Sequence, residues 1–79
     1  MEHFKENNKA LEATFKFKNF VDAFAFMTKV ALLAEKADHH PDWENSYNTV
    51  KIRLSTHSAG HIVTEKDLQL ATKIEALLK

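Results

Sequence analysis

The sequence predicts one α+β domain over residues 1–79, because segments with a two-residue apolar period are interspersed with segments of helical spacing. Residues 9–17 and 47–55 alternate apolar and polar side chains, as half-buried strands do. Residues 20–37 and the segment after Thr64 repeat apolar side chains every three or four positions, which indicates amphipathic helices. No repeat, low-complexity tract or linker divides the chain, so a single domain is expected.

The first strand, residues 9–17 (KALEATFKF), places one set of side chains on its apolar face: Leu11, Ala13, Phe15 and Phe17. Its other face carries Glu12, Thr14 and Lys16. The preceding Glu-Asn-Asn suits a turn, so we expect Met1 to Lys5 to form the first arm of a hairpin.

The first helix is predicted to begin after Asn19, whose side chain can cap it, and to run to about residue 37. Its main apolar stripe is expected to consist of Phe20, Phe24, Met27, Ala31 and Ala34. A second flank carries Phe26, Val30 and Leu33. The apolar surface is therefore wide enough to cover both a sheet and a second partner.

The second strand, residues 47–55, directs Val50, Ile52 and Leu54 to one side and Tyr47, Thr49, Lys51, Arg53 and Ser55 to the other. If the alternation continues, His57 lies on the polar side, where a ligand can reach it. The segment STHSAG (55–60) holds the only glycine and is predicted to be a loop. Thr64 then caps a last helix with an apolar stripe of Leu68, Ala71, Ile74 and Leu78.

Composition limits the classes of function. The chain is 44% hydrophobic, has no cysteine, and carries eleven basic and eleven acidic residues, so its net charge is zero. Neutrality argues against direct binding of nucleic acid or of an anionic membrane. The absence of cysteine fits a reducing compartment, and no apolar run approaches the roughly 18 to 20 residues of a membrane span. A cytoplasmic protein is expected.

The chemistry is concentrated after the first helix, in the segment DHHPDW (38–43). Glu35 lies four residues before His39, His40 follows, and His57 and Asp67 come later. Converging imidazoles can give a proton to a leaving group and remove another near neutral pH, without a metal or a covalent intermediate. This pattern points to proton-transfer catalysis such as a dehydration. The strand's polar face and the Ser55-Thr56 backbone are suited to hold a flat polar heterocycle.

Each of these residues also has a structural interpretation. Asp67, three residues after Thr64, fits the acidic position of a capping box. Glu35 fits a solvated residue near a helix end, and Trp43 and Tyr47 fit packing roles. An isolated His-His pair fits a surface loop. A zinc site built from His39, His40, His57 and Asp67 is a further alternative, although adjacent histidines rarely bind the same ion.

These residues also match a longer motif. In it, an acidic residue is separated by three positions from His-His-Pro, which is followed after five or six positions by an aromatic residue. A histidine follows after nine more positions, and an Asp comes after a variable gap. Here the motif consists of Glu35, His39-His40-Pro41, Tyr47, His57 and Asp67. In this motif the chain resembles the pterin-4a-carbinolamine dehydratases. The segments "FKFKNFVDAFAFMTKVALLAEKADHHPDW", "YNTVKIRLSTH" and "TEKDLQLA" resemble the family's strands and helices, so the resemblance covers nearly the whole chain.

The resemblance implies an antiparallel β-sheet with two main helices packed on one face, in subunits that form dimers or tetramers. It also implies dehydration of 4a-hydroxytetrahydropterin to quinonoid dihydropterin in tetrahydrobiopterin recycling, with the pterin as substrate and no cofactor or metal. The implied catalytic residues are His39, His40 and His57, with His40 as the main acid or base and Asp67 and Glu35 in support. Substrate-binding candidates are Asp38, Ser55, Thr56, His57 and Trp43. His3 and His61 lie outside the motif, and no role is expected for them.

The implied partners are a pterin, a second copy of the chain, and, functionally, a pterin-dependent aromatic amino acid hydroxylase. Animal relatives also bind a homeodomain transcription factor as a dimerisation cofactor, so an interaction module is the alternative function. In two respects the sequence departs from its relatives. They usually carry an N-terminal helix before the first strand, and many have a shorter, more glycine-rich passage between His57 and Asp67.

Overall fold

The computed structural model describes all residues, 1–79. Four strands and two α-helices follow one another as β1 (Lys5–Asn7), β2 (Ala10–Lys16), α1 (Phe20–Ala37), β3 (Asp42–Ser46), β4 (Thr49–Leu54) and α2 (Glu65–Ala76), with a 3-10 turn at His57–Ala59. The strands form one antiparallel sheet in the order β1-β2-β4-β3. The predicted α+β class with an antiparallel sheet is confirmed.

The core lies between the sheet and the two helices. In the β2–β4 ladder, Leu11 pairs with Leu54, and Ala13 pairs with Ile52. These side chains are buried, as the two-residue period predicts for one face of each strand. The opposite face is polar, and Arg53 there pairs in register with both Glu12 and Asp42. The sheet therefore presents one apolar face to the helices and one charged face outward.

Helix α1 begins at Phe20 as predicted, because the Asn19 side chain accepts the backbone N–H of Asp22 at 2.8 Å. Most of its main apolar stripe does not face the core. The residues facing the core are Ala23, Phe26, Val30 and Ala34, whereas Phe20 and Phe24 are 45% and 54% exposed. A helix with apolar residues on two flanks fits either orientation by spacing alone, and the position of the sheet decides between them.

Strand β3 was not predicted. Residues 42–46 (DWENS) are mostly polar because they form an edge strand, and only Trp43 and Asn45 are half-buried. Trp43 pairs with Ile52 and packs against the core. Tyr47, expected in the following strand, occupies the turn between β3 and β4 with φ 51° and is 64% exposed.

The N-terminal hairpin lies slightly later in the chain than predicted. Strand β1 begins at Lys5, where the first arm was expected to end, and the turn falls at Asn8 and Lys9, both with positive φ. Two successive positive φ values suit a tight two-residue hairpin turn. The residues before β1 instead contact α2, where Glu75 accepts the backbone N–H groups of His3 and Phe4.

Helix α2 starts after Thr64 as predicted and ends at Ala76. Ala71 and Ile74 face the core as expected, but Leu70 takes the place predicted for Leu68, which is 38% exposed. Neither helix combines the length and the apolar character needed to cross a bilayer.

Candidate active site

The two adjacent histidines follow a left-handed turn that ends α1. Asp38 adopts φ 50°, and its backbone N–H bonds to carbonyls of the last helical turn. The His39 N–H continues the turn with a bond to the Ala34 carbonyl at 3.1 Å. The His39 side chain is only 11% exposed, whereas the His40 side chain is 57% exposed. One histidine therefore points into the domain and its neighbour points toward solvent.

Asp67, in the first turn of α2, binds the inward-pointing histidine. Its Oδ1 lies 2.5 Å from His39 Nε2. Its Oδ2 accepts the Thr56 hydroxyl and the Thr64 backbone N–H, each at 2.8 Å. The bond from Thr64 is the acidic half of a capping box, so Asp67 both caps α2 and contacts a predicted catalytic histidine.

A threonine pair completes this network. The Oγ1 atoms of Thr56 and Thr64 lie 2.6 Å apart. Because the Thr56 hydroxyl proton is donated to Asp67, Thr64 must be the donor to Thr56. No buried side-chain nitrogen or oxygen atom in the protein lacks a hydrogen-bond partner.

The charge of Asp67 follows from these bonds. Complete burial raises the pKa of its carboxyl group, but the hydrogen bonds from His39, Thr64 and Thr56 outweigh that effect and lower the pKa below its ordinary value. The carboxylate is therefore ionised and can only accept. His39 must then carry its proton on Nε2 toward Asp67, which leaves Nδ1 as the nitrogen available for other chemistry.

His40 has a different acidic partner. Its Nε2 lies 2.9 Å from Oε1 of Glu35, which is 82% exposed. A pair this exposed contributes little to stability, but it orients the imidazole and leaves Nδ1 unoccupied. The two adjacent histidines of the motif are thus each held at Nε2 by a carboxylate, one pair largely buried and the other exposed to solvent.

A surface pocket of about 330 Å³ lies at the junction of these segments. Its walls include all but one of the predicted catalytic and substrate-binding residues: Asp38, His39, His40, Ser55, Thr56 and His57. Asp67 and Glu35 contact the histidines without lining the pocket, as residues in a supporting position do. Trp43 lies outside the pocket, because its side chain packs against the core.

Two lining residues, Ser58 and Lys66, were missed by the sequence reasoning. The signal for Lys66 was available, since it directly precedes Asp67 in the first turn of α2. His61, for which no role is expected, does not line the pocket, and the centroid of its ring lies 4.5 Å from that of His57.

The four residues of the zinc alternative do not bring their donor atoms together as a group. The one cluster whose ligand atoms lie within 4.8 Å of one another is Glu2, His3 and Glu75, near the N-terminus. The oxygens of Asp67, moreover, are already occupied by His39, Thr56 and Thr64. The pocket wall is formed by imidazole, hydroxyl, carboxylate and ammonium groups.

The structure is thus a small antiparallel α+β domain in which two carboxylate-held histidines line one pocket. The family model described as pterin 4 alpha carbinolamine dehydratase matches residues 2–77. The chain therefore belongs to the pterin-4a-carbinolamine dehydratase family.

Individual relatives agree with the family. A protein of Prochlorococcus marinus (strain NATL2A), provisionally named pterin-4-alpha-carbinolamine dehydratase, is 57% identical over 72 residues, covering 91% of this chain and 75% of the relative. A protein of Afipia carboxidovorans with the same provisional name is 54% identical over 72 residues, covering 91% and 71%.

Solved structures share the fold. The crystal structure of a transcriptional coactivator/pterin dehydratase from Brucella melitensis superimposes with a TM-score of 0.89 at 45% identity, covering 95% of this chain and 81% of that one. A pterin dehydratase-like protein identified as a RuBisCO assembly factor in the alpha-carboxysome has a TM-score of 0.75 at 24% identity, covering 95% and 86%. The second comparison supports the fold alone.

Proposed function

We propose that this protein is a hydro-lyase that dehydrates 4a-hydroxytetrahydropterin to quinonoid dihydropterin by histidine acid–base catalysis. The observation that carries the proposal is the pair formed by Asp67 and His39, 2.5 Å apart, at the wall of a pocket that His40 and His57 also line. Such an arrangement in a member of the dehydratase family supports proton transfer as its task.

The reaction needs one proton delivered and one removed. The substrate carries a hydroxyl group on a ring carbon that is bonded to an N–H. When the C–O bond breaks, the hydroxyl group takes a proton and leaves as water. The neighbouring nitrogen loses its proton, and its electron pair completes a C=N bond. No electrons are gained or lost overall, so two imidazoles in opposite protonation states suffice.

We assign the principal acid or base to His40, which is exposed enough to exchange protons with solvent and is oriented by Glu35. His39 presents Nδ1 in a fixed orientation, because Asp67 holds Nε2. The ionised Asp67 also favours a positive charge on His39 when it takes up a proton. His39 and His57 would position the pterin and share in proton transfer.

The remaining pocket wall suits a flat polar ring. Asp38, Ser55, Ser58 and Lys66 offer charged and hydroxyl groups around the histidines, and none of the lining residues is hydrophobic. A pterin has hydrogen-bonding donors and acceptors along its edges, which such a wall can satisfy. In this proposal the pterin is the substrate, and no resident cofactor or metal takes part.

The test is to add the purified chain to a pterin-dependent phenylalanine hydroxylation. The absorbance of 4a-hydroxytetrahydropterin, the carbinolamine, is then followed. The proposal expects faster loss of that absorbance, in proportion to added protein and unchanged by EDTA. An unchanged rate of loss would contradict dehydratase activity, and inhibition by EDTA would favour the metal alternative. Success would also support a role in tetrahydrobiopterin recycling beside a hydroxylase.

A second candidate function is a protein-interaction module. The Brucella relative, 45% identical, is described as a transcriptional coactivator as well as a pterin dehydratase. In this chain, the outward side of α1 exposes Phe20, Val21, Phe24 and Leu32. Apolar side chains clustered on an outer helix face favour association. We propose that a second copy of the chain covers this face in a homodimer or homotetramer, which can in turn recruit a transcription regulator.

A further inference from the structure

The loop between β4 and α2 is closed on itself by backbone hydrogen bonds. The Thr56 N–H bonds to the Ile62 carbonyl at 2.8 Å, and the His61 N–H bonds to the Thr56 carbonyl at 3.0 Å. Thr56 is in turn fixed by its hydroxyl bond to Asp67. The loop is therefore anchored to the same network that holds His39.

This closed loop brings His57 and His61 into ring contact. The centroids of the two imidazoles are 4.5 Å apart, and the ring planes meet at 62°, an edge-to-face arrangement. Pairs of aromatic rings in this geometry attract beyond the burial of their area. Both residues are exposed.

The backbone at His61 adopts an uncommon conformation. Its φ is 61°, in the left-handed region that most residues other than glycine avoid and that Asn, Asp and His tolerate better. His61 does not line the pocket, whereas His57 does. His61 can therefore affect the pocket through its contact with the His57 ring.

We propose that His61 is a positioning residue for His57. Its ring restricts the orientations of the His57 imidazole at the pocket and so prepares that imidazole to meet the ligand. The inference deepens the proposed dehydratase function, since the ligand at this pocket is taken to be a pterin. It also replaces the expectation that His61 has no role.

Two substitutions separate the ring contact from the backbone conformation. His61→Asn keeps a side chain that tolerates positive φ but removes the ring, and His61→Phe keeps an aromatic ring at the cost of a less favourable backbone. Ile62→Ala is the matched control, because it lies next in the loop, is 41% exposed, and retains the backbone bridge to Thr56. Thermal unfolding confirms that each variant is folded.

The first readout is independent of activity. In NMR spectra, the chemical shifts of the His57 ring protons should change in His61→Asn, which lacks a neighbouring ring. In His61→Phe these protons should remain displaced from the values of an isolated histidine, because the phenyl ring still supplies a ring current. The second readout is the Kd of 7,8-dihydropterin together with KM and kcat for the carbinolamine. His61→Asn should raise Kd and KM roughly 2- to 10-fold, the range expected for loss of one aromatic pair, with little change in kcat. His61→Phe and Ile62→Ala should remain close to the wild type.

The outcomes distinguish this inference from the proposed function. Unchanged His57 resonances in His61→Asn, or equal losses of binding in His61→Asn and His61→Phe, would overturn the positioning role. If the wild type neither binds dihydropterin nor turns over the carbinolamine, the proposed function fails, while the resonances of His57 still decide whether His61 orients it.

Discussion

Asp67 in α2 and His39 after α1 are joined by a 2.5 Å contact between Oδ1 and Nε2, across 28 positions of sequence. The same carboxylate accepts the Thr64 N–H that begins α2. Because the buried Asp67 carboxylate both caps α2 and holds His39, the start of α2 and the orientation of this proposed catalytic histidine are coupled. The fold itself thus sets which nitrogen of His39 faces the pocket.

The first prediction concerns this shared carboxylate. Asp67→Asn should lower turnover of the carbinolamine by about 10²-fold or more, since an amide neither fixes the His39 tautomer nor supports its positive charge. It should also reduce the free energy of unfolding by about 1–3 kcal/mol, because the amide cannot match all the donors around it. Steady-state kinetics and urea unfolding measure the two effects.

The matched control is Asp22→Asn, which changes the corresponding third residue after the cap of α1 but lies exposed and away from the pocket. It should leave turnover unchanged. If Asp67→Asn matched the wild type in turnover while losing stability, Asp67 would be a helix cap only.

The sequence predicted this site better than it predicted the packing around it. The intervals of the motif grouped His39, His40 and His57 in advance, and the fold brings these three histidines to one pocket. The position of Trp43 outside the pocket was not foreseen because β3 was not recognised, and a short polar edge strand leaves little periodic signal. The contact between His61 and His57 was not predicted, because a ring contact across a loop depends on backbone angles that spacing does not reveal.

The error in α1 has a similar origin. Its apolar residues cover two flanks, and only the sheet determines that Phe26 and Val30 face inward while Phe20 and Phe24 remain outside. Spacing within one helix describes its own surface and not its partner. The exposed flank is the basis of the next prediction.

The second prediction is that the protein is a dimer or tetramer whose interface includes α1. Phe24 is 54% exposed, and Phe24→Glu should shift the oligomer to monomers at micromolar concentration, because it introduces a charge into an apolar contact. Sedimentation velocity measures the shift. Lys29→Glu, on another side of the same helix, should leave the assembly intact, and a wild type that sediments as a monomer would contradict the prediction.

The third prediction concerns pH and Glu75. Burial raises the pKa of this carboxyl group, but hydrogen bonds from the Phe4 N–H and from the ring and N–H of His3 outweigh it and lower the pKa from 4.5 to about 2. A lowered pKa in the folded state means that the charged form stabilises the fold. That stabilisation is complete above about pH 4.5 and is lost as the pH falls toward about 2.

Glu75→Gln should therefore be less stable than the wild type near neutral pH, and its free energy of unfolding should fall less steeply with acid. Urea unfolding at several pH values measures this. Glu65→Gln, an exposed change in the same helix, should keep the acid dependence of the wild type. If Glu75→Gln retained the full acid dependence, the bonds to the N-terminal backbone would not be the source.

The fourth prediction tests His40, the proposed principal acid or base. His40→Ala should lower kcat by about 10² to 10⁴, the usual contribution of a positioned proton-transfer group. His39→Ala and His57→Ala should affect kcat less and weaken pterin binding more. Because the His40 side chain is 57% exposed, circular dichroism and oligomeric state should remain those of the wild type. Lys36→Ala, an exposed change in the last turn of α1 and outside the pocket, is the control.

The most direct measurement is the rate of carbinolamine loss in the presence of equal amounts of wild type, His40→Ala and Lys36→Ala. Acid–base dehydration by this pocket predicts that the wild type and Lys36→Ala accelerate the loss equally and that His40→Ala is slower by about 10² or more. Acceleration by His40→Ala equal to that of the wild type would contradict the assignment of His40, and no acceleration by the wild type would contradict the dehydratase function itself.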